Sequence, residues 1–243
     1  MSCRAPPPDL AKLDPLIEPW PAGQLIHVIH DAAFDPQSFK PGVDAAGKLR
    51  NPTRFAPIHN AKGRVVPYLY GGSSRDGAIF ETVFHNVPID APDKFVDLGD
   101  FANRAYGQVV PQRDLRLVNL TTDGLHRLKV PKSELIASAP IDYPDTAKWA
   151  EALHRQCPDV DGFFWMSRQR DLDQALVLFG DRVGSALTGT RVSGALRIDD
   201  TWCQAIIALA LRVVHRGVVT RAHLDSRHED RARFSVIADA VQA

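Results

Sequence analysis

The amino-acid sequence predicts a mixed α+β domain. Short apolar runs typical of strands are interspersed, in irregular order, with segments whose apolar residues recur at helical spacing. The chain has 243 residues, of which 44% are hydrophobic, so it can bury a sizeable core, and one domain with small additions is expected. The irregular order does not suggest a doubly wound sheet.

Six segments carry strand patterns, and a long stretch between the first two does not. The predicted strands are 24–30, 65–70, 115–120, 162–167, 175–179 and 192–198. The stretch 31–63 is rich in Pro, Gly and Asn and is predicted to be a loop. Structureless loops of that length in a compact domain are usually functional.

Five segments are predicted as helices, at 10–17, 76–86, 123–129, 146–156 and 202–215. In the second of them Ile79 and Val83 share one face, and Ser73 or Ser74 precedes it as a plausible N-cap. Thr201 is the expected cap of the last. Residues 1–23 hold seven Pro or Gly and are predicted as an extended lead-in to a domain spanning 24–215. The basic segment 216–243 is interpreted as a solvated tail or a partner-facing segment.

Charge and cysteine usage exclude several functional classes. The 29 basic and 29 acidic residues cancel, so general nucleic-acid binding is not expected. Three widely spaced cysteines do not suggest a disulfide framework and fit a reducing cytosol. The N-terminus has no apolar stretch, and the longest apolar segment, 205–214, is interrupted by Arg212. We therefore expect a cytoplasmic protein without a membrane span.

Common catalytic motifs are missing from the sequence. No GxGxxG follows a strand, and neither a P-loop nor a GxSxG motif occurs. His27 and His30, three residues apart on a strand, point to opposite faces, which argues against a metal pair. His154 and Cys157 can meet on one helical face but lack two further ligands nearby. No metal site is predicted.

Several polar residues remain as candidates, each with an ordinary structural explanation beside the functional one. Glu81 lies among apolar residues near a helix start, where the helix dipole alone could favour a carboxylate. Arg54 lies in the long loop and could simply be solvated. Tyr68 and Tyr70 end a strand and could be core residues, and Ser167 ends another and could cap the next turn.

Taken in order, these residues resemble the RES-domain family, which is named for conserved Arg, Glu and Ser. The matching segments are RFAP with Arg54, VPYLYGGSSRDGAIFETVFHNVP with Tyr70 and Glu81, and DGFFWMSRQRDLDQALVLFGDRV with Ser167. The segment LIASAPIDYPDTAKWAEALH is similar to the middle of the family pattern, and the resemblance covers about residues 24–183. The family usually has an arginine on its first strand, where this chain has His27.

The resemblance implies a split-sheet fold related to ADP-ribosyltransferases and a bacterial toxin that depletes NAD+ by cleaving its nicotinamide–ribose bond. NAD+ is then the substrate, with no separate cofactor, and the partner is an antitoxin of the Xre helix-turn-helix type. The catalytic residues it implies are Glu81, Arg54, Tyr70 and Ser167. The substrate-binding residues it implies are His27, which replaces the usual arginine, Tyr68 and Arg168.

Three questions stay open on the sequence alone. Water, phosphate or a protein side chain could accept the ADP-ribose, although Ile79, two places before Glu81, disfavours an arginine acceptor. A transferase acting on a cellular protein and a non-catalytic member are therefore kept as alternatives. His27 could preserve activity, as histidine does in the diphtheria-toxin-like transferases, or mark an altered enzyme. Both a homo-oligomer and a toxin–antitoxin hetero-oligomer are compatible with the sequence.

Overall fold

In the described part of the chain, one curved sheet of eight strands forms the centre of the fold. The computed structural model describes residues 3–9, 14–85, 101–196 and 201–214. The strands are β1 (Ile17–Trp20), β2 (Ile26–Asp31), β3 (Tyr68–Gly72), β4 (Arg104–Pro111), β5 (Leu115–Asn119), β6 (Gly162–Met166), β7 (Gln174–Phe179) and β8 (Leu187–Arg191). The helices are α1 (Arg75–Thr82), α2 (Thr122–Leu128), α3 (Lys132–Leu135), α4 (Tyr143–Gln156), α5 (Gly180–Val183) and α6 (Thr201–Val214), with a 3₁₀ turn at Pro140–Asp142. The predicted mixed α+β class is confirmed.

The sheet is nearly divided at its centre. Its strand order is β1-β5-β6-β7-β3-β2-β4-β8, and only β5 and β6 run parallel. Strands β2 and β3 pair through one residue pair, His27 with Gly72, whereas β2 and β4 pair along six residues. Gly71 lets the two strands approach here, because a Cβ at that position would lie 2.5 Å from Ile26 Cγ2. The result is a five-stranded half and a three-stranded half that diverge from this point.

Each half of the sheet carries its own apolar cluster. Trp149 of α4 packs with Phe163 and Trp165 on the five-stranded half. Phe80 of α1, Tyr106 and Trp202 of α6 pack on the three-stranded half. A third cluster occupies the remaining sheet surface around Trp20, Leu69 and Phe164. Burying each of these large side chains is worth about 1.5–3 kcal/mol, so helices α1, α4 and α6 are held firmly against the sheet.

Most predicted elements are present, with ends shifted by a few residues. The second predicted strand begins at Tyr68 instead of Val65, and the helix predicted at 76–86 ends at Thr82, with 86 outside the described residues. Residues 10–13 of the first predicted helix are also outside them, while Ile17 begins β1. The last helix was predicted from Trp202 but begins one residue earlier, and residues 215–243 lie beyond the described part.

Three strands depart from the sequence prediction. Strand β8 lies at Leu187–Arg191, so the strand predicted at 192–198 is wrong as far as residue 196, where the description stops. The reason is that the amides of Val192 and Ser193 both donate to the Tyr106 carbonyl, which closes a turn there. Strands β1 and β4 were not predicted. Gly107 interrupts the β4 pattern, because Pro36 packs where its Cβ would be, at 2.6 Å.

Candidate active site

Arg54 enters the interior from the long loop. Thr53 closes a tight turn, since its backbone amide and its hydroxyl both donate to the Ala56 carbonyl. The hydroxyl of Thr146 in α4 donates to the Arg54 carbonyl, which ties this turn to the helix. The Arg54 side chain is only 3% exposed, and its Nε and Nη2 atoms are buried without a hydrogen-bond partner among the described residues. A solvated loop arginine is therefore excluded.

Glu81 and Ser167 are joined directly. The Ser167 hydroxyl donates to Glu81 Oε1 at 2.5 Å, and Ser167 is fully buried at the end of β6. Glu81 is half-buried in the last turn of α1, where the helix dipole disfavours a negative charge. The dipole therefore does not explain this carboxylate, and the serine does not cap a turn. Glu81 Oε2 has no hydrogen-bond partner in the described part of the chain, so it can meet a ligand.

Tyr143 connects these groups and was missed by the sequence reasoning. The Arg54 guanidinium lies 5.6 Å from the centre of the Tyr143 ring, at a cation–π distance. Burial raises the pKa of Tyr143, while the charges of Arg54 and Arg168 oppose that rise and the Glu81 charge adds to it. Its hydroxyl lies 3.3 Å from His85 Nε2. The tyrosine before Pro144, in the segment similar to the family's middle region, was the available signal.

Tyr70 supports the Arg54 turn through its hydroxyl. That oxygen accepts a hydrogen bond from the Phe55 amide at 3.1 Å and lies 3.0 Å from the Thr53 hydroxyl. Burial is the main reason that the pKa of Tyr70 is raised, so its phenol stays protonated. The ring is half-buried and meets Trp165 edge-on at 6.2 Å. Tyr70 therefore positions the residues on both sides of Arg54, and its predicted stacking on nicotinamide stays a prediction.

The remaining predicted residues lie around this centre at different distances. Arg168 follows Ser167 and donates to the Ser138 carbonyl at 3.4 Å, close enough for its charge to act on Tyr143. Tyr68 is 4% exposed and lines a different cavity, which neither Arg54 nor Glu81 lines. The structure brings Arg168 to the Arg54–Glu81 centre and does not bring Tyr68 there.

His27 lies at the junction of the two sheet halves. Its Nδ1 is 2.7 Å from the Tyr106 hydroxyl, and the two rings are stacked at 6.0 Å. Gln108 donates to the same Tyr106 oxygen at 3.3 Å, so this phenol links His27 to the next side chain along β4 on the same face. Burial, followed by the charge of Arg75, lowers the pKa of His27. In the described residues no contact joins His27 to Glu81, so a ribose contact stays a prediction.

The described residues contain neither a metal-ligating cluster nor a helix of membrane-spanning length and hydropathy. Across the described residues, no group of three or more His, Cys, Asp or Glu side chains is arranged to hold a metal ion. Within the same ranges, no helix has the length and apolar character needed to cross a bilayer. The charged side chains of the candidate site are instead Arg54, Glu81 and Arg168, an arrangement suited to an anionic ligand and a developing positive charge.

Comparison with known proteins assigns the chain to a family. A search of curated proteins finds no significant match. Among solved structures, a chain of the M. tuberculosis MbcT–MbcA toxin–antitoxin complex is similar, with 12% identity and a TM-score of 0.49. The match covers 76% of this chain and 92% of that one. The family model of the RES domain matches residues 25–202, which include Arg54, Glu81 and Ser167. The chain therefore belongs to the RES-domain family.

Proposed function

We propose that this chain is the toxin of a toxin–antitoxin pair and cleaves the nicotinamide–ribose bond of NAD+. The observation that carries the proposal is the Arg54 guanidinium, 3% exposed, with two buried nitrogens that lack partners among the described residues. A buried cation without a counter-charge is costly, so a protein retains one where a ligand supplies the anion. The NAD+ diphosphate has the geometry that a planar guanidinium binds with two hydrogen bonds.

Glu81 supplies the complementary charge. Cleavage of the nicotinamide–ribose bond builds positive charge on the sugar, as glycoside cleavage does. Nicotinamide is already cationic in NAD+ and leaves as a neutral base, so no general acid is needed. One carboxylate, held by Ser167 through Oε1 and open at Oε2, is then sufficient to bind a ribose hydroxyl and stabilise the oxocarbenium-like transition state.

Tyr143 and Tyr70 complete this arrangement as positioning residues. Tyr143 lies against the Arg54 guanidinium and holds its plane, while the Tyr70 hydroxyl holds the adjoining backbone. Arg168 adds a second positive charge on the same side. With both arginines fixed, the diphosphate is anchored at one end of the site and the ribose is presented to Glu81.

The toxin role and the antitoxin partner follow from membership of the RES family. We infer that an antitoxin of the Xre type neutralises this chain by covering the segments that carry Arg54 and Glu81. In that case the purified pair loses NAD+ cleavage, and the antitoxin protects these segments from hydrogen exchange. A co-purified complex that cleaves NAD+ at the full rate would contradict it.

The test is nicotinamide release from NAD+ by purified, partner-free protein, followed by chromatography. Glu81→Gln keeps the shape of the side chain and removes its charge, and a loss of about 100- to 1,000-fold in kcat is expected. Arg54→Gln is expected to raise KM at least tenfold. The matched controls are Glu18→Gln and Arg64→Gln, two exposed residues outside the site, which should retain full activity.

Other outcomes would change the functional assignment of this chain. No release from folded protein would overturn NAD+ cleavage, and saturable NAD+ binding in that experiment would identify a non-catalytic member. An increase in the mass of a target protein by one ADP-ribose, absent when Glu81→Gln replaces the natural sequence in the reaction, would identify a transferase. Running the reaction with and without inorganic phosphate, and identifying the product, distinguishes phosphorolysis from hydrolysis.

A further inference from the structure

A second cavity lies away from the Arg54–Glu81 centre. Its volume is about 650 Å³, within the range of small-molecule sites. It opens between the end of β2, the start of β3 and the start of β4, and the loop segment 34–51 forms its outer wall. Neither Arg54 nor Glu81 lines it. Part of the long loop, whose length predicted a function, is therefore used to build this cavity.

Three cations converge in the cavity. Desolvation, followed by the charges of Arg104 and Arg50, lowers the pKa of Lys40 to about 8, although its side chain still reaches solvent. Over the described part of the chain, no carboxylate forms an ion pair with any of the three. Arg104 Nε is also buried without a hydrogen-bond partner among these residues. The charge of Asp31 offsets part of the repulsion felt by Lys40, and the repulsion that remains among the three cations favours binding of an anion.

The acidic residues of the cavity are engaged elsewhere. Asp31 Oδ1 accepts from the Ala33 amide and its Oδ2 from the Asn103 side chain. Asp44 Oδ1 accepts from the Lys48 amide and so holds a turn of the loop. Asp35 and Lys48 also line the cavity. Its charged groups are therefore four cations and three carboxylates, which gives a net charge of +1. Asp31 and Asp44 thus hold backbone and loop groups, and neither forms an ion pair with Arg50 or Arg104 among the described residues.

The wall of the cavity also offers apolar surface. Phe34 is 61% exposed and Leu49 is 43% exposed, although both are large hydrophobic residues. Both line the same cavity as Arg50 and Arg104. Convergent cations beside uncovered apolar side chains suit a ligand with an anionic end and a planar or apolar end.

We propose that this cavity binds a phosphate-bearing small molecule, with the phosphate held by Lys40, Arg50 and Arg104 and the rest of the ligand against Phe34 and Leu49. Free inorganic phosphate and the phosphate of a nucleotide share the chemistry that these cations recognise. The site is separate from the proposed NAD+ site and does not depend on that function. Its concave shape and size favour a small ligand over a protein partner.

The test is calorimetric titration of the full chain with inorganic phosphate, ADP and adenosine. The Arg54→Gln variant is used as the background, so that binding at the candidate active site does not contribute. In that background ADP is expected to bind, adenosine to bind at least tenfold more weakly, and Arg50→Gln to weaken ADP at least tenfold. Arg64→Gln is the matched control, because that exposed arginine lies on the same loop outside the cavity.

The outcomes separate the ligand sources and the failure of the proposal. Phosphate as tight as ADP would support a free-phosphate site, and ADP tighter than phosphate would support a nucleotide site. No binding of either at millimolar concentration, or equal affinity in Arg50→Gln and Arg64→Gln, would overturn the proposal. If Arg54→Gln does not fold, Arg50→Gln and Arg64→Gln are compared in the otherwise natural sequence. Only Arg50→Gln is then expected to lose the part of the ADP binding that belongs to the cavity. Among the described residues the Arg50 side chain makes one hydrogen bond, to the Val43 carbonyl, so its replacement is expected to leave the fold intact.

Discussion

Replacing Ser167 by alanine removes one hydrogen bond to Glu81 and little else. The serine is fully buried and its hydroxyl donates to Glu81 Oε1 at 2.5 Å. A hydrogen bond to a charged group contributes about 1.5–3 kcal/mol. Because Glu81 is half-buried, water can replace part of that interaction, so the lower half of the range applies. The expected loss is about 10- to 40-fold in kcat, since 1.4 kcal/mol corresponds to about tenfold.

The assay is steady-state nicotinamide release from NAD+ under the proposed function. A positioning role predicts that Ser167→Ala lowers kcat and changes KM less than about twofold, because Arg54 still holds the substrate. Ser193→Ala is the matched control, since its hydroxyl also makes hydrogen bonds of 2.9 Å, to Tyr106 and Gly194, away from the site. Unchanged kcat in Ser167→Ala, with Glu81→Gln inactive and both variants folded, would refute the reasoning.

Three further predictions concern the site and the fold. Tyr70→Phe leaves a buried amide of the Arg54 turn without its hydrogen-bond acceptor, at a cost of about 1–3 kcal/mol. This variant should raise the KM for NAD+, whereas Tyr68→Phe should leave the KM unchanged in the same assay. Gly162→Ala places a Cβ 2.0 Å from a carbonyl oxygen of β7 and should lower the midpoint of thermal unfolding sharply, whereas Gly194→Ala, with open space around it, should leave it unchanged. Burial holds the pKa of His154 below its usual 6.5. As the pH falls from about 7.5 to 5.5, the unfolded chain therefore takes up the proton first, and the free energy of unfolding decreases. Urea unfolding at both pH values should show a smaller decrease in His154→Gln than in the natural sequence.

Local patterns were sufficient where one face or one cap decided the structure. Ser74 does cap α1, accepting from the Gly77 amide at 2.9 Å, as its position before the apolar run predicts. Strands β6 and β7 follow continuous apolar runs that are buried on both faces. Strand β4 was missed because Gly107 breaks its pattern, and that glycine is explained only by the packing of Pro36 against it.

The candidate residues were found by their order along the chain, but their roles depend on contacts between distant segments. Glu81 and Ser167 are 86 positions apart and share a hydrogen bond. Tyr143 lies in a segment that resembles the family, but its contact with Arg54 is visible only in the structure, because the two residues are far apart in the chain. Tyr68 and Tyr70 are two residues apart on one strand, and tertiary packing alone sends one to the site and the other to a separate cavity.

The sequence by itself determined the mixed α+β class and the RES family and selected Arg54, Glu81 and Ser167 as candidate site residues, because periodicity, caps and ordered motifs are properties of the chain. Only the tertiary structure decided that two buried nitrogens of Arg54 lack a hydrogen-bond partner among the described residues, that Glu81 is held by Ser167, and that the two sheet halves diverge beyond His27 and Gly72. The physical reason is that desolvation and pairing of a charge depend on which distant groups surround it, and chain order does not specify those neighbours.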